Sequence, residues 1–168
     1  MMGGLGNGHS PILTSPDLPA QGLTDATAVA SGSLFSCALR ATKAVMCWGV
    51  GPFGDGATSQ YKASFVPSSV PGATDITAFD VGSEHGCAVI TGGAVKCLGR
   101  NDYGQLGDGS TDDSYLAMLN VSGISDASSV ATGRSHSCAL RAGGTVACWG
   151  HNGDRQLGHG TTDNAANP

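Results

Sequence analysis

Charge and aromatic residues are both scarce in this sequence. Lys and Arg number 8, Asp and Glu 13, and Phe, Tyr and Trp make up 5% of 168 residues. The resulting net charge of −5 is the opposite of the positive footprint by which proteins neutralise phosphates, which disfavours direct nucleic-acid binding. No run approaches the ~18 consecutive apolar residues of a membrane span, so no membrane partner is expected. The opening MMGGLGNGHS has neither the basic start nor the apolar stretch of a secretory signal. Helical periodicity is missing as well: apolar residues alternate with period two, in short runs broken by glycine.

Glycine is abundant, at 27 residues, and one phrase occurs three times: SLFSCALRATKAVMCWG at 33–49, SEHGCAVITGGAVKCLG at 83–99 and RSHSCALRAGGTVACWG at 134–150. A period of 50 or 51 residues makes the repeat the unit of folding. Each copy covers its apolar face only against a neighbour, so terminal copies need a cap, ring closure or another chain. We expect a single repeat domain over 1–168, with copies at approximately 24–73, 74–123 and 124–168 and a partial repeat tail at 1–23.

Within a copy, period two predicts an inner strand at Ala26–Ser31, Ile76–Val81 and Ser129–Thr132. A second strand follows at Ser36–Arg40, Gly86–Ile90 and Ser137–Arg141, and a third at Ala44–Trp48, Ala94–Leu98 and Thr145–Trp149. Fourth strands are read at Phe65–Val70 and Ala117–Val121. If Cys37 faces Cys47, then Leu39 faces Val45 and the hairpin loop is Ala41, Thr42 and Lys43. Its equivalents end on Gly93 and Gly144, which suit the left-handed residue that closes a three-residue hairpin. Lys43 does not, so the first hairpin is expected to be strained or re-looped.

All six cysteines recur at one spacing: Cys37 with Cys47, Cys87 with Cys97, Cys138 with Cys148. The strand register sets each pair opposite on neighbouring strands, a little wider than a disulfide prefers, so local twist must close the gap. Three disulfides, and hence an extracytoplasmic or secreted location, are the expectation. The alternative is three pairs of reduced, buried thiols filling gaps between copies. Nine intervening residues across a hairpin is the wrong geometry for zinc, and no metal or cofactor is expected. His85 and His136 stand where the first copy has Phe35, which marks them as packing or hydrogen-bonding residues rather than ligands. Asp108, Asp112 and Asp113 do not have calcium-loop spacing. Asn120 with Ser122 forms a glycosylation acceptor pattern, meaningful only in a eukaryotic secretory setting.

After the third strand come GRNDYGQLGDGSTDD at 99–113 and GHNGDRQLGHGTTD at 150–163. These segments resemble the GxNxxGQLGxG phrase of the regulator of chromosome condensation repeat family, carried here by Gly99, Asn101, Gly104, Gln105, Leu106, Gly107 and Gly109. In the third copy Gly150, Asn152, Gln156, Leu157, Gly158 and Gly160 match, with Arg155 in place of a glycine. The first copy departs, reading GVGPFGDG from Gly49 to Gly56, while Leu5, Gly6 and Gly8 look like the tail of a further copy. Kelch-type propellers have a similar period but lack this phrase. The resemblance implies an all-β, partial β-propeller of about three four-stranded blades, with Leu106 and Leu157 plugging gaps at the turns. Family members are usually seven-bladed rings, so a fragment of such a ring is expected, or a subunit completed by self-association.

For function, the resemblance implies a non-catalytic protein–protein interaction scaffold whose partner is another protein. Guanine-nucleotide exchange on a small GTPase is an alternative, as is secreted inhibition of an enzyme such as a β-lactamase. An enzyme is not expected: His9, His85, His136, His151 and His159 accompany no nucleophile in an activating phrase and no repeated carboxylate pair. Candidate protein-binding residues lie on two loops, Arg100, Asp102 and Tyr103 on one, His151, Asp154 and Arg155 on the other, because arginine and aromatic groups dominate binding hot spots. Against this, Tyr103 is expected to pack over its own glycine loop, and Trp48 and Trp149 to serve blade packing.

Overall fold

The computed structural model describes residues 19–51 and 62–168. The tail residues Leu5, Gly6, Gly8 and His9, and the departing loop of the first copy beyond Gly51, lie outside the described residues.

Three antiparallel sheets stand side by side. The first holds β1 (Ala26–Ser31), β2 (Phe35–Arg40), β3 (Val45–Gly51) and β4 (Lys62–Ser69) in sequence order. β5 (Ile76–Val81), β6 (His85–Ile90), β7 (Val95–Gly99) and β8 (Ser114–Asn120) form the second, and β9 (Ala127–Thr132), β10 (His136–Arg141) and β11 (Val146–Gly150) the third. This is the blade arrangement of a partial propeller. The third blade corrects the four-stranded expectation: among the described residues its outer side holds only a single bridge, Gly150 to Ala165. β4 and β8 begin three residues earlier than expected. A register shift between Cys47 and Gly49, and between Cys97 and Gly99, lets the fourth strand pair again at Ser64 and Ser114, and that irregularity breaks the period-two pattern.

The hairpin register is as expected, with Cys37 opposite Cys47, Cys87 opposite Cys97 and Cys138 opposite Cys148. All six cysteines are disulfide-bonded, with Cα atoms 4.1, 4.1 and 4.0 Å apart. Each closes so short a loop that the chain-entropy contribution is about 2.7 kcal/mol. Lys43 keeps the same loop as the other copies and takes the left-handed conformation itself, at φ 62°, where Gly93 and Gly144 have 88° and 83°. The hairpin is strained rather than re-looped, and its carbonyl has a use: Lys43 O accepts from Ile76 N at 3.0 Å, as Gly93 O accepts from Ala127 N at 2.8 Å. Each hairpin is thereby tied to the first strand of the next blade.

Two apolar layers result. Phe35, Cys37, Leu39, Val45 and Cys47 on one blade meet Ile76, Val81, Ala88 and Leu98 on the next. Cys87, Val89, Val95 and Cys97 then meet Ala127, Ala139 and Trp149. One face of every sheet thus presents cysteine and branched side chains, and the opposite face presents alanine beside Trp48, Leu98 or Trp149. Between the inner strands the backbones themselves touch. A Cβ on Gly32 would lie 2.3 Å from the Gly82 carbonyl oxygen, and a Cβ on Gly82 would lie 2.3 Å from that of Gly133. Only glycine permits this approach.

The disulfides differ in cover. Cys37, Cys47, Cys87 and Cys97 are buried, whereas Cys138 and Cys148 are half-buried on the open face of blade three. Because exchange requires access to sulfur, brief treatment with limiting reductant followed by alkylation should label Cys138 and Cys148 first. Peptide mass spectrometry reads the order.

Candidate functional site

The GxNxxGQLGxG loop is organised around one buried side chain. Asn101 Oδ1 accepts from Leu106 N at 2.8 Å, and Asn101 Nδ2 donates to the carbonyls of Ser110 (3.2 Å) and Asp112 (3.1 Å). Gln105 Oε1 accepts from Tyr103 N at 2.9 Å. The acids of this loop act as caps: Asp113 Oδ1 accepts from Asn101 N (2.7 Å), Asp113 Oδ2 from the Tyr115 hydroxyl (2.6 Å), and Asp108 from Ser110. The third copy repeats the device. Asn152 Oδ1 accepts from Leu157 N at 3.0 Å, Asn152 Nδ2 donates to Thr161 O at 2.9 Å, and Arg155 adopts φ 62° where Gly104 has 78°.

So ordered, the loop plugs the joint between blades. Leu106 is fully buried against Trp149. The Gln105 carbonyl accepts from Trp149 Nε1 at 2.9 Å and from Ser137 Oγ at 3.0 Å. Gly107 faces the indole so closely that a Cβ would lie 2.6 Å from Trp149 Nε1. Trp149 is therefore blade packing, as the sequence suggested.

The outer side of these loops lines a depression of about 990 Å³ at one end of the sheets. Three backbone bonds build its floor, each tying the end of a third strand, or the residue just after it, to the turn before the second: Val50 N to Leu34 O, Arg100 N to Glu84 O and His151 N to Ser135 O, at 2.8, 2.9 and 2.8 Å. Of the six loop residues singled out in the sequence, Arg100, Tyr103, His151 and Asp154 line the depression together, whereas Asp102 and Arg155 do not. The Tyr103 ring lies against His151 of the next copy, centroids 4.7 Å apart and edge to face, rather than over its own glycine loop. A hydrogen bond of 2.7 Å joins His151 Nδ1 to Gln156 Nε2, so the ring accepts there and carries its proton on Nε2. Arg100 is held between two acids, donating to Glu84 Oε2 at 2.5 Å and to Asp102, which pushes its pKa further up and keeps it charged.

Sequence reasoning missed Arg134, Glu84, Ser33, Ser83 and Ser135, all on the same wall. Arg134 makes no ion pair among the described residues. A signal existed: Ser33, Ser83 and Arg134 align, as do Leu34, Glu84 and Ser135, and these two columns vary immediately before an otherwise repeated phrase.

Beneath the floor lies His85, fully buried. Ser137 Oγ donates to the Gln105 carbonyl and so accepts from His85 Nε2 at 2.9 Å, leaving His85 Nδ1 without a partner. Burial, with His136 nearby, lowers the His85 pKa from 6.5 to about 4, against a smaller opposing pull from Asp80. Burial also lowers His136, with His151 adding to the drop. No group of three or more metal-ligating side chains occurs among the described residues.

Asn101→Ala leaves the buried Leu106 N–H unsatisfied and should cost about 2–3 kcal/mol in urea unfolding. A histidine whose folded pKa is depressed binds fewer protons folded than unfolded, so its contribution is complete above 6.5 and lost as pH falls toward 4. Unfolding free energy should drop by about 3 kcal/mol across that window. His85→Phe, the residue type of the first copy, should remove most of the drop.

Models of the regulator of chromosome condensation (RCC1) repeat match residues 26–55, 93–140 and 127–156, together more than half of the chain. No curated protein sequence matches it. Among solved structures, the chain is similar to Prp20p from Saccharomyces cerevisiae, at 21% identity and TM-score 0.76 over 99% of this chain and 44% of that one. It is similar to human WBSCR16, at 22% identity and TM-score 0.73 over 86% and 40%. The ectodomain of the receptor kinase CR4 from Physcomitrella patens superposes at 23% identity and TM-score 0.51 over 76% and 30%. The chain therefore spans less than half the length of each.

Proposed function

Because this chain belongs to the regulator of chromosome condensation repeat family, we propose that it is a non-catalytic scaffold that holds another protein in the depression lined by Arg100, Tyr103, Arg134, His151 and Asp154. One observation carries the reading. Side chains from successive copies meet on one wall, supported by a backbone that the repeat holds rigid. Arginine, tyrosine and histidine on such a support provide contact area at small entropic cost, and their variation from copy to copy gives one partner a distinct surface. Within the depression, His151 is committed to Gln156 and Arg100 to two carboxylates.

The family resemblance supports a protein partner. Prp20p is described by its binding to Gsp1p and histones. Exchange of nucleotide on a small GTPase is the second reading, and that likeness favours it. The three disulfides and the likeness to a receptor ectodomain support an oxidising, extracytoplasmic setting, in which inhibition of a secreted enzyme such as a β-lactamase is the more suitable form of binding.

The readings separate by direct assay. The oxidised chain is tested for binding to a panel of β-lactamases, and for accelerating nucleotide release from a panel of small GTPases. For any binder found, Tyr103→Ala and Arg134→Glu should each weaken affinity by about tenfold or more. A binder indifferent to both substitutions would remove the depression as the site.

A further inference from the structure

The joint between blades two and three is built on a polar pair that the joint between blades one and two lacks. His85 of blade two donates from Nε2 to Ser137 Oγ of blade three at 2.9 Å. Their counterparts one copy earlier are Phe35 and Gly86, so the equivalent place in the first joint holds no titratable group and no hydroxyl. Asp80 adds a second difference. Its Oδ2 accepts from Thr132 N (2.7 Å) and from Thr132 Oγ1 (3.0 Å) across the second joint, where the first has Ala30 and Val81.

The bonds leading from His85 run in one direction. Ser137 spends its only hydroxyl proton on the Gln105 carbonyl, which also accepts from Trp149 Nε1, so Ser137 can only accept from His85. Neutral His85 therefore carries its proton on Nε2, and Nδ1 has no partner although the ring is fully buried. Gly82 presses against that edge of the ring so closely that a Cβ would lie 2.9 Å from Nδ1. A second proton can enter only at Nδ1, where it would be a buried donor without an acceptor. Burial opposes that proton most and His136 on β10 opposes it too, while Asp80 on β5 and the His136 backbone favour it, leaving the pKa at about 4.

We propose that this joint is an acid-sensitive latch, in which a proton on His85 parts blade three from blade two while each blade stays folded. Once charged, His85 must leave the interface to reach water. Ser137 then loses its donor, and the Gln105 carbonyl that aligns Trp149 and the Leu106 plug loses its hold. Each blade keeps its own hairpin disulfide, Cys87 with Cys97 and Cys138 with Cys148, and a unit held in this way can open without global unfolding. The wall of the depression crosses the same joint from Tyr103 to His151, so it parts as well. None of this depends on what the depression binds.

Hydrogen exchange followed by NMR on the full, oxidised chain compares the two joints directly. Ile76 N–H binds the Lys43 carbonyl across the first joint, and Ala127 N–H binds the Gly93 carbonyl across the second. The closed joint binds fewer protons than the opened one, so its stability is complete above 6.5 and falls as pH drops toward 4. The protection of Ala127 N–H, as free over observed exchange rate, should fall about 100-fold between pH 7 and pH 4, and that of Ile76 N–H by less than about threefold. The paired change His85→Phe with Ser137→Gly gives the second joint the residues of the first and should flatten the Ala127 response. If that variant does not keep the parent's three disulfides and far-ultraviolet spectrum, His85→Gln, which donates to Ser137 without titrating, replaces it. Three results overturn the proposal: both amides of the parent losing protection together, neither losing it, or a fall at Ala127 that persists in the variant and so belongs to Asp80 or another carboxylate.

Discussion

A single backbone oxygen, the Gln105 carbonyl, carries the joint between two blades. It accepts from Trp149 and from Ser137 together, and Ser137 in turn accepts from His85. A four-stranded sheet has two faces and cannot cover either alone, so the loop leaving one blade must reach the next with its polar backbone satisfied. Asn101 makes that possible by satisfying Leu106 N from within the loop. With the loop so held, Leu106 enters the core while Gln105 aims its carbonyl at the indole. Gly107 supplies the clearance that the indole needs.

Fold and site are therefore two sides of one loop. Its inner side, Gln105 and Leu106, joins blades. Its outer side, Arg100 and Tyr103, lines the depression. A wall built this way inherits the rigidity of the core beneath it, and Tyr103 on its turn is held against His151 of the following copy. The division also explains where the copies differ. The cysteines and the alanines between them, Ala38, Ala88 and Ala139, recur in every copy inside the blades, whereas Leu34, Glu84 and Ser135, at one position facing the depression, all differ.

Covalent and non-covalent ties are distributed differently. Each disulfide links two strands of one blade, so oxidation stiffens a blade without joining it to its neighbour. Between blades two and three the ties include a hairpin carbonyl, the loop plug, the His85–Ser137 hydrogen bond and an apolar layer, all of which need a neighbour to act on. Stability in such an array is a sum of blade terms and joint terms, and an end blade lacks one joint. Leu140 and Val146 are exposed where their counterparts Val89 and Val95, which have a following blade against them, are buried.

Much of this was legible in the residues alone. Three equal cysteine spacings and period-two alternation gave the strands, the hairpin register and the disulfide pairing, because a hairpin is a local structure whose register follows from its loop length. The family phrase gave the propeller and the plugging role of Leu106. Other features depended on contacts between residues about fifty positions apart, which no local pattern encodes. Lys43 stays in a left-handed turn because its carbonyl meets Ile76 on the next blade. Tyr103 turns to His151 rather than to its own loop, and Arg134 joins a wall that the varying column of Ser33, Ser83 and Arg134 marks only once the copies are set side by side. The sequence by itself determined what one repeat is; the tertiary structure alone decided which surfaces the repeats bury in each other and which they leave open, since that depends on how successive sheets are set side by side.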